Sequence, residues 1–175
     1  MEYLRLMQDR RHLHTPYIHT LRDVVRKEED LYIHDGASIP DHSTVFVYTD
    51  QPSEFVSILD EQIYLVSESV KKVFSMYAPL LRYKQFFLFN NRRGEHHIYH
   101  APIFRQLHCI APESRWNPFG NRVTHCVLDK ERIGNEPIFK VAGAGERIVV
   151  IRLDVAESLL RRGIIDFRLE EMEVR

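Results

Sequence analysis

Ile63-Tyr64-Leu65-Val66, then Ser67-Glu68-Ser69-Val70-Lys71-Lys72-Val73-Phe74, then Tyr83-Lys84-Gln85-Phe86-Phe87-Leu88-Phe89 read in order as an apolar strand, a capped amphipathic helix and a second strand. Ser67 stands at a capping position, and Val70, Val73, Phe74 and Tyr77 share one face at helical spacing. Ala78-Pro79 ends the helix, because the residue before a proline resists the α region. The unit recurs as Ile148-Val149-Val150-Ile151, then Asp154 to Gly163, then Ile164 to Val174. Here Asp154 caps and Glu157 follows at capping-box spacing, while Gly163 comes after Arg161-Arg162 as glycine follows cations at a helix end. The spacing predicts helices over 67–78 and 154–162.

Working outward, Asn90-Asn91-Arg92-Arg93-Gly94 is a turn, and His97 to Ile110 returns as strand, so part of the sheet is antiparallel. Arg122 to Leu128 and Ile138 to Val141 add further strands. The expected fold is α+β: one domain with a mixed, mainly antiparallel sheet, a strand-helix-strand unit used twice, and helices over one face. Val66, Val70, Phe74, Phe87, Phe139, Val150, Leu159 and Leu160 are its expected core. Residues 1–60 are the least regular. Tyr3, Leu4 and Leu6 suggest a short strand, His34-Asp35-Gly36 a turn, and Val45 to Tyr48 another strand. This stretch is expected as an irregular segment packed on a domain of residues 61–175.

A chain of 175 residues, 44% hydrophobic and 28% charged, can bury roughly 70% of its unfolded surface in one core. A formal net charge of −1 provides no global field for nucleic acid or an acidic membrane. Arginines outnumber lysines 18 to 6, a bias that suits planar ion pairs at interfaces and also follows genomic base composition. Cys109 and Cys126 read as two buried free thiols, since a disulfide framework needs more cysteines in a shorter secreted chain. No signal peptide and no run near the ~20 apolar residues of a membrane span is visible, so the chain reads as soluble and cytoplasmic.

Candidate chemistry is sparse. His96, His97 and His100 tempt a zinc reading, but on a strand His96 and His100 share a face with Ile98 while His97 and Tyr99 take the other, and no third ligand is placed. His12, His14 and His19, with Arg10, Arg11, Arg22 and Tyr17, form a basic stretch that could touch RNA, although Glu28-Glu29-Asp30 offsets it nearby. Ser67, Ser114 and Ser158 lie in no nucleophile elbow, and His108-Cys109 and His125-Cys126 are strand neighbours that point apart. Gly143-Ala144-Gly145 precedes a strand, the wrong order for a dinucleotide loop. No cofactor and no metal is expected. The loop Arg115-Trp116-Asn117-Pro118-Phe119 holds the only tryptophan. It either folds back as a lid or meets a partner, for which arginine and tryptophan are the favoured anchors. Arg115, Trp116, Asn117 and Phe119 are the candidate contact residues.

Ile63-Tyr64-Leu65-Val66-Ser67-Glu68, the helix after it and the Phe-rich strand resemble the first half of a bacterial immunity-protein family associated with polymorphic toxins, otherwise known as a domain of unknown function. Leu128-Asp129-Lys130-Glu131-Arg132-Ile133, Ile138-Phe139-Lys140 and Asp154 to Ile164 look like its second half, so the likeness covers about residues 60–174. Relatives often carry a further glycine after the second helix, where this chain has Ile164-Ile165-Asp166. The resemblance implies a non-enzymatic, cytoplasmic protein that binds and neutralises a protein toxin encoded nearby, with neither membrane nor nucleic acid as partner. The rival expectations are a small histidine-dependent hydrolase or nuclease, and a nucleic-acid adaptor working through the basic stretch.

Overall fold

The computed structural model describes residues 1–175 and is an α+β fold of three α-helices and fourteen strands. The strands are β1 (Tyr3–Gln8), β2 (His42–Phe46), β3 (Ile58–Leu59), β4 (Leu65–Ser67), β5 (Arg82–Asn90), β6 (Glu95–Ile103), β7 (Gln106–Leu107), β8 (Arg115–Trp116), β9 (Val123–His125), β10 (Val127–Leu128), β11 (Ile138–Val141), β12 (Val149–Arg152), β13 (Phe167–Glu171) and β14 (Glu173–Val174). The helices are α1 (Glu68–Tyr77), α2 (Lys130–Ile133) and α3 (Leu153–Arg161). Instead of one sheet there are two of five strands, ordered β2-β5-β6-β4-β3 and β13-β1-β12-β11-β7, with two small ladders, β8-β9 and β10-β14. Most pairings are antiparallel; β2-β5, β7-β11 and β10-β14 are parallel.

The repeated unit is present in both large sheets, and each time it is split. β4 and β5 flank β6, and both run antiparallel to it. β12 and β13 flank β1 in the same way. So β4-α1-β5 and β12-α3-β13 are equivalent crossovers, each with a foreign strand inserted between its two strands. In the first unit that strand comes from the following hairpin. In the second it is the N-terminal strand. The ladder between β1 and β13 stops at Leu4↔Glu171, whereas that between β5 and β6 runs on from the corresponding Gln85↔His100 pair to Asn90↔Glu95. The first unit therefore carries an extension, and β2 pairs along it through Phe86–Phe89.

The local signals explain both helices. The Ser67 hydroxyl accepts from the Val70 amide at 3.3 Å and caps α1. α3 begins one residue before the expected cap: Arg152 has the extended N-cap backbone, and Asp154 sits in the first turn, where it pairs with Arg152 at 2.8 Å. Its carboxylate still receives the Val155 amide at 3.0 Å. At the far end, Gly163 has φ +74°, its amide bonds Leu160 O and the Ile164 amide bonds Leu159 O. This is the Schellman pattern, with Gly163 as its left-handed residue.

Three apolar cores stack through the molecule. The central one joins the facing stripes of α1 (Val70, Val73, Phe74) and α3 (Val155, Ala156, Leu159) to Val66 of one sheet and Leu6, Val149 and Ile151 of the other. A second lies on the opposite side of the first sheet, where Phe86, Leu88 and Tyr99 meet Ile18, Leu21, Leu31 and Ile39. A third lies outside the other sheet, where Tyr3, Phe139 and Val150 meet Cys109, Val123, Leu128 and Ile133. Tyr64 ties the sheets together by donating its hydroxyl to Leu6 O at 3.0 Å. Arg147 ties the early segment to the second unit through Glu28 at 2.7 Å and the carbonyls of Asp60 and Gln62.

Two parts of the expectation change. Six of the eight expected core residues are buried, but Phe87 is only half-buried because it faces away from Phe86 and Leu88, and Leu160 is 48% exposed on the outer side of α3. Residues 1–60 are not simply an irregular cover: β1 is a central strand and β2 and β3 are sheet members, so no boundary falls at residue 60. Phe74→Ala should lower the unfolding free energy by about 3–5 kcal/mol in urea denaturation. Leu160→Ala should cost less than about 1 kcal/mol. Equal losses would contradict this placement of the α-helical faces.

Candidate functional site

The segment from Arg115 to Phe119 is built as a protruding hairpin, β8 against β9. Its base is fixed by Ser114, whose buried hydroxyl donates to Val127 O at 3.0 Å and accepts from the Val127 amide at 2.9 Å. Asn117 organises the tip. Its carboxamide donates to Asn121 Oδ1 at 2.8 Å and accepts the amides of Asn121 and Arg122 at 3.1 and 3.2 Å. The Gly120 amide closes on Asn117 O at 2.9 Å. Arg122 pairs with Glu146 at 3.0 Å, and the backbone at Asn121 lies so close to Gly145 that a Cβ there would stand 1.9 Å from Asn121 O.

On this braced tip Phe119 is 87% exposed and Trp116 41% exposed. The Arg115 guanidinium has no carboxylate within ion-pair distance, unlike the thirteen arginines that are paired. Of the four residues singled out in the sequence, Arg115, Trp116 and Phe119 face solvent. Asn117 does not: its side chain is consumed by the turn.

The other candidates are taken apart by their surroundings. His96, Ile98 and His100 share one face of β6 and His97 the other, as strand alternation requires. His100 is buried with Nε2 2.5 Å from Glu68 Oε2, His97 stacks on Phe55 at 4.8 Å, and His96 stacks on Phe87 at 5.7 Å. No group of three His, Cys, Asp or Glu side chains converges as a metal site would need. In the basic stretch, Arg10 binds Asp60 and Glu61 at 2.6 and 3.2 Å, Arg11 binds Asp9 at 2.6 Å and His12 meets Glu54 at 3.2 Å. Arg10 and Arg11 are thus paired within the fold, while Arg22 is exposed with no carboxylate within ion-pair distance. Burial pushes the free thiols of Cys109 and Cys126 up to about 11, away from thiolate reactivity.

Two features escaped the sequence. On the β5-β6 extension, Phe87 and Phe89 lie beside Ile98, His96 and Phe46, on the same sheet face as α1 but beyond the helix, where that face is open. The run Phe86-Phe87-Leu88-Phe89 suggested burial on both sides, and only its partner strands decide that one side stays open. The second is a cleft of about 630 Å³ beside the C-terminal end of α1. On its rim His34 and Asp35 both adopt left-handed backbone, φ 45° and 55°. Each such residue costs roughly 1–2 kcal/mol relative to right-handed geometry. No sequence pattern marks this cleft, because its walls come from four separate segments.

Gly145→Ala should destabilise by more than about 3 kcal/mol, through both clash and positive φ. Gly143→Ala, with φ +76° but open space, should cost only about 1–2 kcal/mol in the same denaturation assay. Acid should act in two windows. Burial lowers the pKa of His97 and of His100 below 6.5, the latter against the pull of Glu68. The unfolded state then binds protons that the folded state refuses, so stability falls as pH drops through 6.5. Asp9, held at about 2 by its hydrogen bonds from Arg11, adds a loss only below 3.8. Urea midpoints measured from pH 7.5 to 5.5 should fall, and the paired His97→Gln, His100→Gln variant should flatten that slope.

No protein-family model matches the chain, and no curated protein matches it.

Proposed function

We propose that this chain is a non-enzymatic binding protein that neutralises a protein toxin encoded beside it, by stoichiometric occlusion. The observation that carries this reading is the braced hairpin that holds Phe119 87% exposed beside Trp116. An aromatic anchor fixed before binding loses little conformational freedom on docking, and such anchors at the centre of an interface dominate its energy. The unpaired Arg115 guanidinium adds a charge that a partner carboxylate can satisfy. The likeness of residues 60–174 to toxin-associated immunity proteins supplies the class of partner. With a formal net charge of −1, recognition rests on local shape and charge pairing.

Co-expression with the product of the adjacent gene tests the reading. Cells should survive and a 1:1 complex should co-purify. Trp116→Ala and Phe119→Ala should each weaken that complex by about 30-fold, as loss of a roughly 2 kcal/mol anchor does, while leaving the melting temperature unchanged. Survival without any complex would mean enzymatic detoxification. A complex that both variants hold within threefold of wild type would place the contact elsewhere.

A further inference from the structure

The cleft of about 630 Å³ opens between the C-terminal end of α1, the crossing from β6 to β7, and β11. Its floor is apolar: Phe104 and Ile138 are buried there, with Leu81 and Ile103 beside them. Its mouth is charged on both sides. Asp35 pairs with Arg82 at one lip, and Arg105 pairs with Glu136 at 2.7 Å at the other. Both guanidiniums, and Asp35, are well exposed to solvent. Exposed pairs of this kind contribute little and open readily to a competing ligand.

This arrangement is selective by charge. A long-chain carboxylate would find Arg82 and Arg105, but only beside Asp35 and Glu136. A cation would meet the reverse. A zwitterion meets an opposite charge for each of its own, and a large apolar side chain can lie on the floor between them. The volume fits a small ligand, since such sites span about 300–1,000 Å³. The backbone points the same way. His34 and Asp35 hold left-handed geometry, φ 45° and 55°, yet both side chains are exposed, so no burial offsets that strain. Strain of this kind gathers where a group must be held for a ligand. We propose that the cleft is a binding site for an apolar zwitterion of dipeptide size, with its ammonium on the Asp35 carboxylate, its carboxylate on Arg105, and its side chains against Phe104 and Ile138. The site is separate from the hairpin and does not depend on the toxin reading.

The probe is the dipeptide Leu-Phe, titrated into the 15N-labelled full chain and followed by amide chemical shifts. Shifts should cluster at Leu81, Ile103, Gln106 and Ile138, with a Kd of about 1 mM or tighter. N-acetyl-Leu-Phe-amide, which lacks both charges, should bind at least ~10-fold more weakly. Asp35→Asn keeps a residue that tolerates left-handed backbone, so the fold is retained. That variant should weaken Leu-Phe about 5- to 10-fold while binding decanoate no more weakly than wild type does. Absence of localised shifts at ~10 mM Leu-Phe would overturn the proposal. So would decanoate, or the uncharged dipeptide, binding wild type as tightly as Leu-Phe does.

Discussion

Two short helices, each with one apolar stripe, press on one another between two sheets, and every other packing decision follows from that contact. Placing α1 and α3 back to back buries Val70, Val73 and Phe74 against Val155, Ala156 and Leu159, with a sheet behind each helix. The strands behind them are apolar on both faces, as Phe86 and Leu88 show in β5 and Phe139 and Val150 in β11 and β12. Each sheet then has an outer apolar face that water must not reach. Residues 18–39, with Val56 and Ile63, cover one of these faces and residues 107–133 cover the other. These long irregular stretches, which look dispensable as sequence, are structural lids demanded by strands that are greasy on both sides.

The sequence was legible wherever the signal was local. The Ser67 cap, the proline after Ala78, the Arg161-Arg162-Gly163 ending and the Asn90 to Gly94 turn all act within a few residues, and each structure they predict is present. It was not legible where partners come from afar. Nothing near Tyr3 says that its strand will lie between β12 and β13. Nothing near Phe87 says which side of β5 stays open. Arg115, Trp116, Asn117 and Phe119 were singled out by residue chemistry alone, as members of a loop, and the β8-β9 pairing there has no local signal. Asn117 marks the limit of that reasoning, because a carboxamide that closes a turn and one that meets a partner have the same sequence signature. The cleft could not be read at all: Asp35, Arg82, Arg105 and Glu136 become neighbours only in the folded chain.

Duplicated units give a stable frame, and the places where the copies differ are the places available for recognition. The β5-β6 extension has no counterpart in the second unit, and it carries Phe87, Phe89, His96 and Ile98 on an open face. The Arg115 to Phe119 hairpin belongs to the segment covering the second sheet and is locked to the turn before β12 through Gly145 and Glu146. The charged mouth of the cleft lies at the seam where the chain passes from one sheet to the other. All three features are additions to the frame. None is needed to bury the helices.

The insertion of β1 between β12 and β13 also sets the order in which the molecule can be made. Tyr3 to Gln8 leave the ribosome long before their partners at Val150 to Arg152 and Phe167 to Glu171. The first sheet needs only residues up to Ile103, so it can assemble while synthesis continues. The second sheet must wait until Glu171 has emerged. Through that interval Leu4 and Leu6 belong to an unpaired strand with two open edges, the kind of segment that invites wrong pairing or a chaperone. Closure of so long a loop is slow by its topology. The nascent chain therefore passes through a half-folded interval between the emergence of Ile103 and that of Glu171, and Tyr3 to Gln8 are placed only at its end.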